Sequence, residues 1–276
     1  MSNVAFPELR FVPLEQCVLH EETDPTRVAR LVDRIRREER LRNPPILGRV
    51  AGLETLLVLD GATRVTALQQ LGITHILGQV VNYTDPAVEL HTWAHALAGQ
   101  PWEALADLLH QDPQLHTAFS TVEAAKIALH ERQLLAFLAN REGHALVIHR
   151  PSSIVEQAAV LRHLFACYAA QATITRVPAV EWQGFLQHHP ISAIMVFSVY
   201  EKDDLIALAR QKAVLLPGIT RHIIPGRALR LNVPLEILQE DQELSVKQTW
   251  LENWLRTRNA ERSVRYYTEP IFLFDE

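Results

Sequence analysis

Asp60, Gly61, Ala62, Thr63 and Arg64 put a carboxylate, a hydroxyl, a guanidinium and a residue free to turn sharply into five consecutive positions. Leu56 to Leu59 before them is a short apolar run that reads as a buried strand. After them Val65, Leu68 and Leu71 fall on one helical stripe, and Gly72 is placed to end that helix in a left-handed conformation. A strand-to-helix turn at Asp60-Gly61 leaves backbone N–H groups and the positive helix end facing the space above the strand, which suits phosphate. The plainer alternative is that Asp60 and Thr63 only cap the helix. Two further stretches carry comparable chemistry. His20, Glu21 and Glu22 place one imidazole and two carboxylates in an expected loop. Thr220, Arg221 and His222 lie between Pro217-Gly218 and Pro225-Gly226, also in an expected loop. They offer a hydroxyl, a bidentate fork and a ring that donates from both nitrogens when protonated.

The elements that must position these groups follow from periodicity. A strand is expected from Arg10 to Leu14. Asp24 and Pro25 then read as N-cap and first residue of a helix whose buried stripe is Val28, Leu31, Val32 and Ile35. Its other face is rich in arginine, with Asp33, Glu38 and Glu39 between, and reads as solvated. Strands Ile46 to Val50 and Thr55 to Leu59, the helix from Arg64 and a strand from Ile76 to Val81 complete a β-α-β-β-α-β order, an α+β pattern. Asp85-Pro86 marks a boundary between a unit over 1–85 and a second over 86–276. In the second, strands are expected at Val88 to Trp93, Leu134 to Leu138, Ala145 to Ile148 and Ile194 to Val199. Helices are expected near 102–110, 121–131, 153–170 and 203–212. His91 and His95 have metal-ligand spacing on a helix but lack a third ligand. Trp250, Leu251, Trp254 and Leu255 share one face of a C-terminal docking helix.

Composition narrows the function classes. Among 276 residues, 48% are hydrophobic and 21% charged, as in an ordinary folded protein, and the net charge of −5 supplies no general positive field for nucleic acid or an anionic membrane. Cys17 and Cys167 form no metal or redox spacing, which points to a reduced, cytoplasmic protein. No secretion signal is read at the amino terminus, and no apolar run approaches the roughly 20 residues of a membrane span.

With His20-Glu21, Asp60-Gly61-x-x-Arg64, Thr92-Trp93 and Thr220-Arg221-His222 with Pro225 marked in this order, the chain resembles the free L-serine kinases, including their siderophore-biosynthesis branch. The resemblance implies a ParB/sulfiredoxin-like N-terminal domain and an α/β C-terminal domain, with the active site in the cleft between them. It implies phosphorylation of the hydroxyl of free L-serine to O-phospho-L-serine with a nucleotide and Mg²⁺. By match to that family, Glu21 is the base that takes the serine proton. Asp60 orients the acceptor or Mg²⁺ and is the alternative base. Arg64, Thr220, Arg221 and His222, with the amides of Gly61, Ala62 and Thr63, hold the nucleotide phosphates. Trp93 walls the amino-acid pocket with Thr92 beside it. Some family members carry two histidines where this chain has Ala62 and Thr63. That departure leaves ATP or ADP open as donor, with ATP preferred. The expected partners are therefore free L-serine and nucleotide, not membrane or nucleic acid. The alternative is a ParB-like DNA-binding or ligand-responsive transcriptional regulator, against which stand the negative charge and the lack of a helix-turn-helix pattern. A sulfiredoxin-like redox enzyme needs a cysteine in the turn, where Ala62 and Thr63 stand.

Overall fold

Leu57, Val58 and Leu59 are all buried, but Leu57 and Leu59 belong to one hydrophobic core and Val58 to another. Successive strand residues point to opposite faces, so this strand is covered on both sides, which is why its sequence is an unbroken apolar run. The computed structural model describes residues 6–261 and 263–265. In chain order, β1 (Leu9–Pro13) and β2 (Cys17–Leu19) precede α1 (Pro25–Glu38). Then come β3 (Arg40–Leu41), β4 (Ile46–Arg49), β5 (Leu56–Asp60), α2 (Ala62–Gln70) and β6 (His75–Asn82). These build a five-stranded sheet in the order β1-β6-β4-β5-β2, with β2 parallel to β5, β4 parallel to β6 and the other neighbours antiparallel.

Local chemistry accounts for both helices of this unit. Asp24 caps α1 by accepting from the Thr26 and Arg27 amides at 2.8 and 3.3 Å, Pro25 opens it, and Glu39 ends it at φ 51°. Val28, Val32 and Ile35 of α1 pack with Val65, Ala67 and Leu68 of α2 over the face of the sheet that carries Val58.

The second sheet begins with β7 (Glu89–Ala98). After α3 (Trp102–His110) come β8 (Thr117–Thr121), α4 (Val122–His130), β9 (Leu134–Ala139), β10 (His144–His149), α5 (Ile154–Ala169) and β11 (Thr173–Pro178). Then follow α6 (Trp182–His188), β12 (Ala193–Phe197), α7 (Lys202–Arg210) and β13 (Thr220–Ile223). The order is β11-β7-β12-β9-β10-β8, with β13 on the first half of β7. Every pairing in this sheet is antiparallel, so the expected α/β description of the second unit gives way to α+β. Its central strands β9 and β12 are again buried on both faces: in β12, Ile194 and Val196 pack with Trp182 and Leu186 of α6, while Ala193, Met195 and Phe197 face the core shared with α3, α5, α7 and the first sheet.

The chain then returns. β14 (Val233–Pro234) pairs with β3, and α8 (Leu235–Gln239) and α9 (Leu244–Ala260) follow. Residues 233–255, grouped by the sequence reading with the second unit, pack on the first: Leu235, Leu238 and Leu251 join its core, and Trp250 meets Phe11 of β1 edge-on at 6.4 Å. The apolar face expected on the C-terminal helix is thus satisfied within the chain. Among the described residues no helix is long and apolar enough to cross a membrane.

Leu251 has no exposed surface whereas Val246 on the same helix is 49% exposed. Leu251→Ala is expected to lower the unfolding free energy by about 2–5 kcal/mol and Val246→Ala by no more than about 0.5 kcal/mol. Urea denaturation followed by circular dichroism distinguishes them, and equal effects would show that α9 does not dock through this face.

Candidate active site

Where the two sheets meet, a cleft of ≈ 630 Å³ opens, lined from the first unit by residues 20–22, 58–64 and Arg27, and from the second by Trp93, Arg176 and residues of the 217–227 stretch. That is the size of a typical small-molecule pocket. Glu21 stands at the join. It follows β2, and its backbone forms an isolated parallel bridge with Leu215, closed by Leu215 N–H to His20 O at 2.8 Å and Glu22 N–H to Leu215 O at 2.9 Å. Its carboxylate accepts three hydrogen bonds from across the cleft: the Thr220 amide at 3.0 Å and hydroxyl at 2.6 Å on Oε1, and the Gly218 amide at 3.2 Å on Oε2. Gly218 has φ +80°, and a Cβ there would lie 2.0 Å from the Arg176 guanidinium carbon, so the loop that presents these donors needs glycine twice over.

Behind Glu21 the chain of hydrogen bonds continues inward. Buried His20 lies 2.8 Å through Nε2 from Thr220 Oγ1 and donates through Nδ1–H to the Val58 carbonyl at 2.7 Å. With Nδ1 protonated, the neutral ring is an acceptor at Nε2. The single Thr220 hydroxyl proton then faces two acceptors, Nε2 and Glu21 Oε1.

The Asp60 turn forms as its composition demands. Gly61 is the N-cap of α2 at φ 96°, and no side chain caps that helix end, so the capping alternative for Asp60 and Thr63 does not hold. Gly61, Ala62 and Thr63 line the cleft at the start of α2, where no side chain caps the helix end. Asp60 Oδ2 is engaged by Arg64 Nη2 at 3.1 Å and also by Arg227. Arg64 in turn donates through Nη1 to the Pro44 carbonyl at 2.6 Å. Much of Arg64 is therefore committed to holding Asp60 and the 43–44 segment, which limits its expected role toward phosphate.

Thr220, Arg221 and His222 are not in a loop: they are β13, paired with Thr92, His91 and Leu90 of β7. Nor does the group offer three phosphate donors. The Thr220 hydroxyl is turned to Glu21, and His222 is buried with Nε2 3.1 Å from Tyr83 Oη and its ring edge-on to His20 at 5.3 Å. Burial, and then the His20 neighbour, push the His222 pKa down to about 3, so the expected doubly protonated donor is replaced by a neutral ring that packs the cleft wall. Arg221 remains open, its guanidinium 4.9 Å from the Trp93 ring centroid. Trp93 lines the cleft, whereas Thr92 is buried behind it with a hydroxyl that finds no partner. His91 and His95 lie on a strand and have separate partners, Glu89 and Tyr168.

Arg27, Arg176 and Arg227 also line the cleft and were not singled out from sequence. Arg27 was hidden in a face that reads as solvated. Arg176 sits beside no local motif, whereas Arg227 directly follows Pro225-Gly226 at the end of the 217–226 stretch. Five arginines thus meet Glu21, Glu22, Asp24 and Asp60 in one cleft. Among the described residues, no three His, Cys, Asp or Glu side chains converge here. A divalent ion in this cleft would therefore find one or two carboxylates and any bound phosphates as ligands, which is how Mg²⁺ is commonly held.

No protein-family model matches the chain. It is 25% identical to the ATP-dependent L-serine kinase SbnI of Staphylococcus aureus, over 99% of this chain and 100% of that protein. It is 25% identical to an ATP-dependent L-serine kinase of Staphylothermus marinus, over 83% of this chain and 90% of the relative. A solved free serine kinase in complex with AMP shares the fold, with a TM-score of 0.72 and 19% identity over 85% of this chain and 95% of that one. The resemblance drawn from the four ordered motifs is thus to the same kind of protein that whole-chain similarity finds.

The two buried rings have a measurable consequence. Burial also lowers His95, to about 4 from 6.5. The unfolded chain takes up protons at both rings below about pH 6.5 while the folded chain does not. Stability is therefore expected to fall as pH drops from about 6.5 toward about 4 for His95 and about 3 for His222, by up to about 1.4 kcal/mol per pH unit per ring. In ¹H–¹⁵N spectra both rings should remain neutral from pH 8 to 5. A His222 midpoint within that range would contradict the buried neutral assignment.

Proposed function

We propose that this chain is a nucleotide-dependent kinase that phosphorylates the hydroxyl of free L-serine, with ATP as donor and Glu21 as the base. The observation that carries the reading is the Glu21 carboxylate, held by the Thr220 and Gly218 donors at the edge of a cleft rich in arginine. Whole-length similarity to two ATP-dependent L-serine kinases supports it. We read the first sheet as the ParB/sulfiredoxin-like unit of that resemblance, with the second sheet completing the site across the cleft.

Phosphoryl transfer asks a protein mainly for positioning and charge stabilisation, plus an acceptor for the hydroxyl proton. The serine oxygen forms its bond to the terminal phosphorus of ATP as the bridging P–O bond breaks, and the serine proton passes to Glu21. With His20 donating from Nδ1 and accepting at Nε2, that proton completes the inner chain: Glu21 donates to Thr220 Oγ1, and Thr220 donates to His20 Nε2. Every polar group from Glu21 to Val58 is then paired. Asp60 has its Oδ2 committed to two guanidinium groups, so it serves as their anchor and leaves the base role to Glu21. Phosphate oxygens would be met by the amides at Gly61, Ala62 and Thr63 and by Arg221, Arg176 and Arg227, with Trp93 against the amino acid. A Mg²⁺ ion, held with those phosphates by a cleft carboxylate such as Asp60, would supply charge neutralisation. Thr92, buried behind Trp93, acts by shaping that wall. The alternative of a DNA-binding regulator gains nothing from the fold: a ten-residue strand, not a helix-turn-helix, follows the first unit, and the net charge is −5.

A ³¹P NMR time course with L-serine, Mg²⁺ and either ATP or ADP tests the reading directly. An O-phosphoserine signal is expected with ATP. Glu21→Gln should lower kcat by about 10²–10⁴-fold, the usual contribution of a positioned base. Thr220→Val, which removes one hydrogen bond to that base, should lower kcat by about tenfold and change KM little. No phosphoserine from folded protein with either nucleotide would overturn the assignment.

A further inference from the structure

A second cluster of chemistry-bearing side chains lies away from the cleft and has no part in the proposed reaction. His163 and Cys167 are four residues apart on α5 and so lie one turn apart on the same helix face. Asp112, just after α3, is brought to them by the packing of α3 on α5. Asp112 Oδ2 lies 2.8 Å from His163 Nε2 and 3.5 Å from Cys167 Sγ, and Sγ lies 3.7 Å from Nε2. Among the described residues this is the one group of three His, Cys, Asp or Glu side chains whose ligand atoms all lie within 4.8 Å of one another.

Those distances are close to the edges of a metal tetrahedron. Zinc–sulfur, zinc–nitrogen and zinc–oxygen bonds at tetrahedral angles place the donor atoms about 3.4–3.6 Å apart. The two edges to sulfur already match, and the third lengthens by about 0.6 Å when a bound ion replaces the Asp112–His163 hydrogen bond. The donors are also aimed. Asp112 Oδ1 accepts from the Gln114 amide at 2.8 Å, which turns Oδ2 toward His163 and Cys167. Neighbouring Leu161, Leu164 and Tyr168 are buried and fix the rotation of α5 about its axis. The His163 and Asp112 side chains keep 30% and 18% of their surface exposed, which leaves access for an ion and a water as fourth ligand.

We propose that Asp112, His163 and Cys167 form a binding site for a thiophilic divalent transition-metal ion of the zinc class. A thiolate, an imidazole and one carboxylate select against Mg²⁺ and Ca²⁺, which take oxygen ligands. On binding, the Cys167 thiol gives its proton to solvent as the metal–sulfur bond forms, and His163 binds neutral through Nε2. The ion would tie α5 to the segment after α3. The residue before His163 on that helix is Arg162, which donates to Glu22 at 2.6 Å, beside Glu21. The ion would therefore steady the helix that braces the cleft wall. The inference concerns binding alone and does not rest on the kinase reading.

The test uses the full chain, stripped of metal and kept reduced, with Co²⁺ as spectroscopic probe and Zn²⁺ in calorimetry. One Co²⁺ per chain is expected, with a thiolate-to-cobalt charge-transfer band and the visible bands of tetrahedral cobalt. Cys167→Ser should abolish the charge-transfer band and Cys17→Ser should retain it. Zn²⁺ affinity should fall by at least about 100-fold in His163→Gln and at least about tenfold in Asp112→Asn. Absence of the band in the parent protein, or its survival in Cys167→Ser, would overturn the proposal. Should Cys167→Ser not fold, the near-isosteric Asp112→Asn decides the matter, because undiminished Zn²⁺ binding there is equally fatal.

Discussion

The Glu21 carboxylate accepts hydrogen bonds from the amide and hydroxyl of Thr220, 199 residues away, and this contact ties the first sheet to the second at the point where the cleft opens. Each carboxylate oxygen has a backbone donor from the second unit, so Glu21 is oriented only when both units are in register. The same register seats Thr220 against His20, and His222 between His20 and Tyr83. A buried polar cluster of this kind is unforgiving: fully paired it holds one geometry, and any displacement of β13 leaves several groups without partners at once. The position of the proposed base is therefore set by the interior of the protein, not by the loop that carries it.

Charge in the cleft follows a related logic. A polyanion has to be received by a chain whose overall charge is −5, so no long-range field gathers it and local donors must serve. Three of the five cleft arginines are matched by acids, Arg64 and Arg227 on Asp60 and Arg27 on Asp24, and Arg162 beside the cleft is matched by Glu22. Partly exposed pairs of this sort contribute little to stability, about 0–1 kcal/mol each. A phosphate that takes over a guanidinium from such a pair thus gives up little and gains a stronger, bidentate contact. In the proposed reaction the acids keep the arginines extended and in place before the nucleotide arrives.

Legibility from sequence tracked the range of the interactions involved. The Asp60 turn was readable because strand, glycine and helix stripe are contiguous, and Asp24-Pro25 because a cap is a local device. The Thr220–His222 stretch reads as chemically rich but as a loop, since the hydrogen bonds that make it a strand come from residues 89–92. The charge state of His222 could not be read for the same reason: burial beside His20 is a property of the assembled interior. Arg176 carries no local signal, Arg227 only adjoins the marked Pro225-Gly226 turn, and Arg27 lies in a pattern that fits a solvated face. His163 and Cys167 have ligand spacing on a helix, but the third ligand lies 51 residues earlier than His163, beyond the reach of any spacing rule.

The two units are not free to hinge about a linker. Ile46, Leu57 and Leu59 of the first sheet belong to the same core as Leu138, Met195 and Phe197 of the second, so opening the cleft would expose apolar surface from both. The chain crosses between the units after β6 and again after β13, and both crossings are anchored. Tyr83 at the first is fully buried and contacts His222 near the second. The Gln79 side chain holds the 226–228 segment of the second crossing, donating to Gly226 O at 3.1 Å and accepting from Ala228 N–H at 2.8 Å. α8 and α9 then close the first core from behind. Such a body presents its donors ready-made, and the ordering cost of binding falls on the ligand and on the exposed arginines, not on the sheets.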